Sequence, residues 1–164
     1  MEPRSALPEP GGDRPPRVLA VDDEPANLKL LATLLARWGW IVQTARNGAE
    51  ALRVVKTFAP DLILLDVMMP GQSGFDVAAT LQGDPDTQHI PIVFLTALAA
   101  DESKAQGFEM GARDYVTKPF NFGELGARLR ARLREKRAED ALRARQAELR
   151  SKLVGERHDG KDDA

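Results

Sequence analysis

Five polar residues of this sequence follow short apolar runs, at places where the ends of strands would bring them together. They are two adjacent aspartates, a third aspartate, a threonine and a lysine: Asp22, Asp23, Asp66, Thr96 and Lys118. Carboxylates held close together repel one another and need a cation to stay ionised. An oxygen-rich site of this kind suits Mg²⁺ or Mn²⁺, which keep several waters and accept a phosphate oxygen as a ligand. The residue types therefore predict a divalent-cation site.

The same residues contain the groups that phosphoryl transfer needs. A carboxylate oxygen can attack phosphorus as a nucleophile. A cation, the ammonium group of Lys118 and the hydroxyl of Thr96 can spread the negative charge of the group in transfer. The set therefore indicates an aspartate that accepts a phosphoryl group.

Short apolar runs alternate with helical periodicities along the chain. This alternation predicts an α/β fold with a parallel sheet, right-handed crossovers and helices on both faces. We expect a flavodoxin-like five-stranded sheet in the order 2-1-3-4-5. Strands 1, 3, 4 and 5 are then consecutive, so the polar residues at their carboxyl ends converge. The predicted strands are Val18–Val21, Trp40–Ala45, Leu62–Leu65, Ile90–Leu95 and Tyr115–Val116.

Local signals mark the predicted helices. Pro25 lies in the first turn of the first helix, and Gly39 follows its last turn. Asn47 with Glu50 resembles a capping box at the start of the second helix. Three further helices are predicted: a third from about Gly74 to Gln82, a fourth that ends near Met110, and a fifth, extended C-terminal helix from about Asn121.

Composition and charge divide the chain into segments. The net charge is −2, but residues 1–123 carry 11 basic and 16 acidic side chains, whereas residues 124–154 carry 10 basic and 5 acidic ones. An acidic body with a basic helical extension is expected. The predicted segments are a disordered, proline-rich leader at 1–16, a folded domain at 17–130, an extension of the last helix at 131–155 with weak coiled-coil character, and a disordered tail at 156–164.

Composition also excludes several classes of protein. No run approaches the ~18 consecutive apolar residues of a membrane span, and the N-terminus lacks the apolar core of a secretory signal. With no cysteine, the chain has no disulfide or thiolate metal site, which fits a cytoplasmic protein. The basic stretch 129–153 contains no aromatic residue for base stacking, so direct nucleic-acid binding is not expected.

Four motifs carry a family resemblance. VDDEPAN (21–27), LLDVMMPGQSGFD (64–76), FLTA (94–97) and DYVTKPF (114–120) resemble, in order and spacing, the motifs of response-regulator receiver domains of two-component signalling systems. The resemblance covers about residues 17–130. One motif alone is a weak signal, whereas the four together are specific.

The resemblance implies a role for each site residue. Asp66 is the expected phosphoacceptor, and Lys118 is expected to contact the phosphoryl group, with Lys118–Pro119 as a cis peptide. Thr96 and Tyr115 are the implied switch pair: Thr96 turns toward the phosphoryl group and Tyr115 moves inward. The implied cofactor is Mg²⁺, with Mn²⁺ as a substitute. Its implied ligands are Asp23 and Asp66 directly, Asp22 through water, and Met68 through its backbone carbonyl.

Two positions at the mouth of the expected pocket are apolar. Met68 lies two residues after the phosphoacceptor, where the family often has asparagine, and Leu98 lies two residues after Thr96. Polar side chains at these positions can orient the water that attacks the acyl phosphate. We therefore expect slow hydrolysis and a long-lived phosphorylated state.

The leading hypothesis is a phosphorylation-controlled binding module rather than an enzyme. A sensor histidine kinase or phosphotransfer protein would supply the phosphoryl group, and phosphorylation would change self-association or partner binding. A homodimer is expected through the face of the fourth helix, fifth strand and last helix, together with the C-terminal helix. About 35 residues follow the receiver segment, too few for a separate DNA-binding domain.

Two other functions and one domain arrangement compete with this hypothesis. A phosphatase of the haloacid-dehalogenase type needs an acid two residues after its nucleophilic aspartate, where Met68 lies. A flavodoxin-like flavin carrier needs hydroxyl groups and glycine in its first loop to cradle phosphate, where Asp22, Asp23 and Glu24 lie. The long charged helix also resembles linkers to cyclase, kinase or phosphodiesterase domains, which would make this chain part of a larger protein.

Overall fold

The sheet has the predicted parallel topology. A computed structural model describes residues 14–96, 114–119 and 121–162. The strands pair in parallel in the order β2-β1-β3-β4-β5, which confirms the predicted flavodoxin-like fold class. They are β1 (Arg17–Val21), β2 (Ile41–Ala45), β3 (Leu62–Asp66), β4 (Ile92–Thr96) and β5 (Asp114–Thr117).

Four helices lie in the described part of the chain. The fourth helix predicted from the sequence, which ends near Met110, falls outside the described residues, so α4 here denotes the C-terminal helix. The helices are α1 (Pro25–Arg37), α2 (Gly48–Phe58), α3 (Gly74–Gln82) and α4 (Phe122–Asp162).

The sheet separates two apolar cores, which confirms helices on both faces. Successive side chains of a strand point to opposite faces, so Leu19 and Val21 pack toward α2 and α3, whereas Val18 and Ala20 pack toward α1 and α4. Every residue of β3 and β4 is buried, as expected of central strands covered on both sides. The edge strand β2 is more exposed.

The helix N-termini differ in detail from the sequence prediction. Asn47 accepts a hydrogen bond from the backbone N–H of Glu50 at 2.8 Å, but the Glu50 carboxylate accepts from Arg46 and not from Asn47. The full capping box lies instead at α3, where Ser73 and Asp76 each accept from the other's backbone N–H. Both halves of such a box satisfy N–H groups that the helix leaves unpaired.

The folded body makes contacts with Arg14 near one end of the chain, and its last helix continues past residue 155 at the other. Arg14, assigned to the leader, forms a two-pronged ion pair with Asp61, at 2.9 and 3.1 Å, and its carbonyl accepts from Arg137 of α4. This two-pronged, charge-assisted pair holds Arg14 beside the start of β3. At the other end α4 continues to Asp162, past the end predicted at residue 155, because an exposed helix tolerates a glycine such as Gly155 at about 1 kcal/mol.

In residues 14–96, 114–119 and 121–162, no helix is both long enough and apolar enough to cross a bilayer. The long helix α4 is strongly polar over most of its length.

Candidate functional site

The carboxyl ends of neighbouring strands bring the predicted acidic residues together. Asp22 follows β1 and Asp66 ends β3, and the two strands are paired with Val21 opposite Leu65. Both carboxylates are buried. One oxygen from each of Asp22, Asp23 and Asp66 lies within 4.8 Å of the others. The structure thus places the three predicted carboxylates in a single cluster.

Asp22 accepts hydrogen bonds from three residues. Its Oδ1 accepts from the backbone N–H of Glu24 at 3.0 Å. Its Oδ2 accepts from Lys118 Nζ at 2.8 Å and from Asn27 Nδ2 at 3.3 Å. Asn27 was not assigned a role from the sequence, although it stands one helical turn after the acidic pair.

Asp23 differs sharply from its neighbour in the chain. It is the most exposed of the three acids. Among the residues that the structure describes, no hydrogen bond or ion pair engages its carboxylate. Its oxygens are therefore open to a ligand from solvent, whereas those of Asp22 are already occupied.

The environment of Asp66 disfavours its charged form. Burial and the negative charge of Asp22 raise the pKa of Asp66 to about 6, against the opposing influence of Lys118 and of the Met68 backbone N–H. Lys118 Nζ lies 3.3 Å from Asp66 Oδ1, and the Met68 N–H donates to the same oxygen at 3.3 Å. One ammonium group is thus shared between two buried acids.

Lys118 is the positive charge of the cluster. Burial alone would lower the pKa of Lys118, but its hydrogen bond to Asp22 and the charges of Asp66 and Asp22 raise it above the usual value. Three carboxylates beside one ammonium leave an excess of negative charge. This donor set fits a hard divalent cation with oxygen ligands. The Lys118–Pro119 peptide is cis, as predicted.

The two residues predicted to switch lie on β4 and β5, beside the cluster. Thr96 ends β4 and is fully buried, and its carbonyl accepts from the backbone N–H of Lys118 at 2.9 Å. Tyr115 is also buried, with its ring centroid 5.6 Å from that of Phe94. Tyr115 is therefore already buried in this structure, as the family resemblance implies for the phosphorylated state.

The mouth of the cluster is an open groove of about 430 Å³ beside Asp23. Met68 lines this groove and is 60% exposed, so its side chain lies over the entrance and not in the core. Leu98, the second apolar residue predicted at the mouth, lies outside the described residues. The remaining lining residues are Val67, Met69, Pro70 and Ser73.

A close approach at Gly74 fixes the backbone of the phosphoacceptor candidate. The Gly74 N–H donates to the Val67 carbonyl at 3.0 Å. A Cβ at Gly74 would lie 2.2 Å from the Asp66 carbonyl oxygen, far inside van der Waals contact. Only glycine fits between α3 and the end of β3. The sequence predicts only a helix start at Gly74, because the contact depends on tertiary packing.

A larger cavity, of about 700 Å³, lies at the opposite end of the sheet. Its lining combines acidic and basic side chains in similar numbers, and it contains none of the predicted site residues. The only group of three or more potential metal ligands in the described part of the chain is Asp22, Asp23 and Asp66. The chemistry is therefore assigned to the smaller groove.

The raised pKa of Asp66 predicts a pH-dependent stability of the metal-free protein. Asp66 titrates at about 6 when folded against 3.8 as a free side chain, so between these values the folded protein holds a proton that the unfolded chain has lost. Stability therefore falls as the pH rises through this window, by about 2–3 kcal/mol in total. Urea unfolding should show Asp66→Asn to be more stable than wild type at about pH 7, and not at pH 4 or below.

The control for this prediction is Asp86→Asn, which removes an exposed carboxylate away from the cluster. It should leave the pH profile unchanged. If Asp66→Asn kept the wild-type decline between pH 4 and 6, the assignment of the charge penalty to Asp66 would be wrong.

Comparison with known proteins gives consistent matches. A family model described as the response regulator receiver domain matches residues 18–130. The chain is 47% identical over 131 residues to response regulator PleD of Caulobacter vibrioides, covering 80% of this chain and 29% of PleD. It is 46% identical over 117 residues to the phosphate regulon transcriptional regulatory protein PhoB of Pseudomonas aeruginosa, covering 71% of this chain and 51% of PhoB.

Solved structures agree with the sequence matches. The chain is similar to the Vibrio cholerae chemotaxis protein CheY4, with a TM-score of 0.70 and 32% identity, over 72% of this chain and 98% of CheY4. The matched region is thus nearly all of CheY4 but only a minor part of PleD and about half of PhoB.

Proposed function

This chain belongs to the response regulator receiver domain family, and on that premise we propose that it is a signalling switch that accepts a phosphoryl group on Asp66. The observation that carries the proposal is the cluster of three carboxylates within 4.8 Å, with Lys118 bonded to Asp22 and close to Asp66. The experiment that tests it is phosphorylation by a small acyl-phosphate donor.

The proposed reaction transfers a phosphoryl group from a phosphohistidine of a sensor kinase or phosphotransfer protein. An oxygen of Asp66 attacks phosphorus, the new O–P bond forms, and the P–N bond breaks. The imidazole nitrogen leaves with the electron pair. Lys118, 3.3 Å from Asp66 Oδ1, is placed to contact the transferred group and offset its charge. The chain then acts as a phosphoacceptor and not as an enzyme on an external substrate.

The donor set supports a distinct role for each acid in holding Mg²⁺ or Mn²⁺. Asp23 has no partner among the described residues and Asp66 faces the same space, so these two are the proposed direct ligands. Asp22 already accepts three hydrogen bonds and would act through water. The Met68 backbone carbonyl is the remaining proposed ligand. When bound, the ion supplies charge neutralisation for the carboxylates and the phosphoryl oxygens.

A switch involving Thr96 and Tyr115 would couple phosphorylation to a surface. We propose that Thr96 turns toward the phosphoryl group and that the buried position of Tyr115 becomes the favoured one. The described part of the affected face contains β5 and the start of α4. Phe122, an exposed aromatic residue at the start of α4, makes this face suited to contact.

Hydrogen exchange with a beryllofluoride mimic should report this coupling. Protection is expected to change across residues 98–125, because a charged group at Asp66 biases a two-state element. Helix α2, on the other side of the sheet, serves as the internal reference. Clear binding of the mimic with unchanged exchange across residues 98–125 would contradict the proposed switch.

The exposed methionine at the groove predicts a slow loss of the phosphoryl group. The Met68 side chain is apolar and cannot position an attacking water, so Met68→Asn should accelerate autodephosphorylation by roughly tenfold, equivalent to about 1.4 kcal/mol. Met68→Leu is the matched apolar control and should keep the wild-type rate. The measurement is the decay of phosphorylated protein by intact mass. Equal rates for the asparagine and leucine variants would show that Met68 does not set the lifetime.

The output of the proposed switch is a change in association. PhoB is named as a transcriptional regulator and CheY4 as a chemotaxis protein, so receiver domains of this family serve different outputs. We propose a cytoplasmic chain that self-associates on phosphorylation through the face that contains β5 and the body-contacting part of α4. A shift at the start of α4 would also move its extension beyond residue 131, and this movement could act on a second protein or on another domain of the same protein.

A further inference from the structure

The distal part of α4 presents a leucine seam to solvent. The last apolar residue of α4 that is buried in the body is Leu133, and the described side chains from Ala141 to Gly155 are all exposed. Three leucines lie in this segment and are more than half exposed: Leu142, Leu149 and Leu153. We call residues 141–154 the distal segment.

The spacing of these leucines places them on one narrow stripe. They are separated by seven and four residues, so at about 100° per residue they fall within an arc of roughly 40°. A stripe of this width matches the seam between two paired helices. A helix that lies in a membrane surface instead has a broad apolar face, commonly with Trp or Phe, and the distal segment contains neither.

Basic side chains flank the seam on both sides. By helical geometry Arg143 and Arg150 lie on one side, and Arg145 and Lys152 lie on the other. Arg143 forms an ion pair with Asp140 at 2.6 Å, and Lys152 lies 3.5 Å from Glu148. Both acidic partners lie on the side of the helix away from the leucines. In the part of the chain that the structure describes, no ion pair engages Arg145 or Arg150. The seam is therefore bordered by positive charge that the chain itself only partly neutralises.

This charge pattern is unfavourable for pairing with a second copy. In a parallel pair, Arg145 of one helix would face Arg150 of the other, on both sides of the seam. In an antiparallel pair, flanks on the same side would meet, and these are again basic. Like charges at such positions destabilise association, whereas opposite charges set the choice of partner. A partner helix with acidic residues beside its apolar seam would instead place opposite charges against the basic residues on both sides.

We infer that the distal segment of α4 docks an amphipathic helix of a partner whose flanking positions are Glu or Asp. The leucines form the apolar contact with the partner helix. Arg145 and Arg150 attract acidic flanking residues and repel basic ones, which selects the partner. Gln146, within the seam, would add a polar contact that fixes the register. This role goes beyond the phosphoacceptor function and does not depend on Asp66. It also restricts the proposed self-association to the face of the folded body.

The test uses the full chain and two synthetic helices of three heptads each, with leucine at the seam positions and either glutamate or lysine at all flanking positions. Binding is measured by fluorescence anisotropy at low and high salt, for wild type and for Asp66→Asn. The acidic helix should bind both proteins at least tenfold more tightly than the basic helix, with the difference shrinking at high salt. The reversal Arg145→Glu with Arg150→Glu should invert the preference.

A charge-matched control separates the seam from net charge. Arg37→Glu with Arg53→Glu makes the same charge change on exposed positions of α1 and α2, and it should leave the preference intact. Equal affinity for both helices, or no binding of the acidic one, would overturn the inference. Sedimentation that shows self-association lost only in Leu149→Asp would assign the seam to a second copy instead. Binding to anionic lipid vesicles but not to the acidic helix would assign it to a membrane surface, and either result overturns the proposal.

Discussion

Asp66→Asn is expected to abolish phosphorylation by a small acyl-phosphate donor, and removal of divalent cations with EDTA is expected to reduce it by about a hundredfold or more. The amide keeps the shape of the side chain but lacks the negative oxygen that attacks phosphorus. The other two acids should not substitute for it, because Asp22 is held by three donors and no ion pair in the described part of the chain joins Asp23 to Lys118. A hundredfold loss corresponds to roughly 3 kcal/mol of activation free energy.

Intact-mass measurement decides this prediction. Wild type with Mg²⁺ should gain the mass of one phosphoryl group, and Asp66→Asn should gain none. Asp86→Asn, which changes an exposed carboxylate elsewhere, should be labelled like wild type. Full labelling of Asp66→Asn, or labelling that persists unchanged in EDTA, would refute the assignment of Asp66 and of the cation.

Gly74→Ala is expected to destabilise the fold strongly and to disturb the site at the same time. Its Cβ would lie 2.2 Å from the Asp66 carbonyl oxygen, and that neighbour is backbone at the end of a fully buried strand. Relief requires α3 to move away from β3, so the free energy of unfolding should fall by about 3 kcal/mol, at the upper end of the range for overpacking. The same movement should slow phosphorylation of Asp66.

A second glycine provides the matched control. In Gly155→Ala the new Cβ meets nothing within 4 Å, and the residue lies in the exposed part of α4. Alanine there should leave stability equal or slightly raised, because it is the better helix former. Urea denaturation of both variants gives the comparison. A Gly74→Ala protein as stable as wild type would show that α3 is not held against the Asp66 backbone.

The sequence alone determined the fold class and the membership of the cluster. Apolar runs such as Leu62–Leu65 have a strong pattern because central parallel strands are buried on both faces. The site acids could be identified because the ends of such strands are where a parallel sheet places polar groups. The cis Lys118–Pro119 bond was likewise predicted from the motif around it and is present.

Only the tertiary structure decided the role that each acid can take. Asp22 and Asp23 are adjacent and chemically identical in the sequence, yet one is buried and the other is the most exposed of the three acids. Asp22 directly follows the buried strand β1, whereas Asp23 lies one residue further on and lines the open groove. Only Asp22 then meets Lys118, which lies 96 residues away in the chain.

The close contact of Gly74 and the ion pair of Arg14 with Asp61 have the same origin. Each depends on segments distant in sequence being packed to within a few ångströms, as shown by the 47 residues that separate Arg14 from Asp61. Local periodicity reports which face of an element is apolar, but it carries no information about which distant backbone or charge that face meets. Local sequence was therefore enough to predict the strands and the acidic residues of the cluster. The contact of Gly74 with the Asp66 backbone, and the different burial of Asp22 and Asp23, depend on tertiary packing.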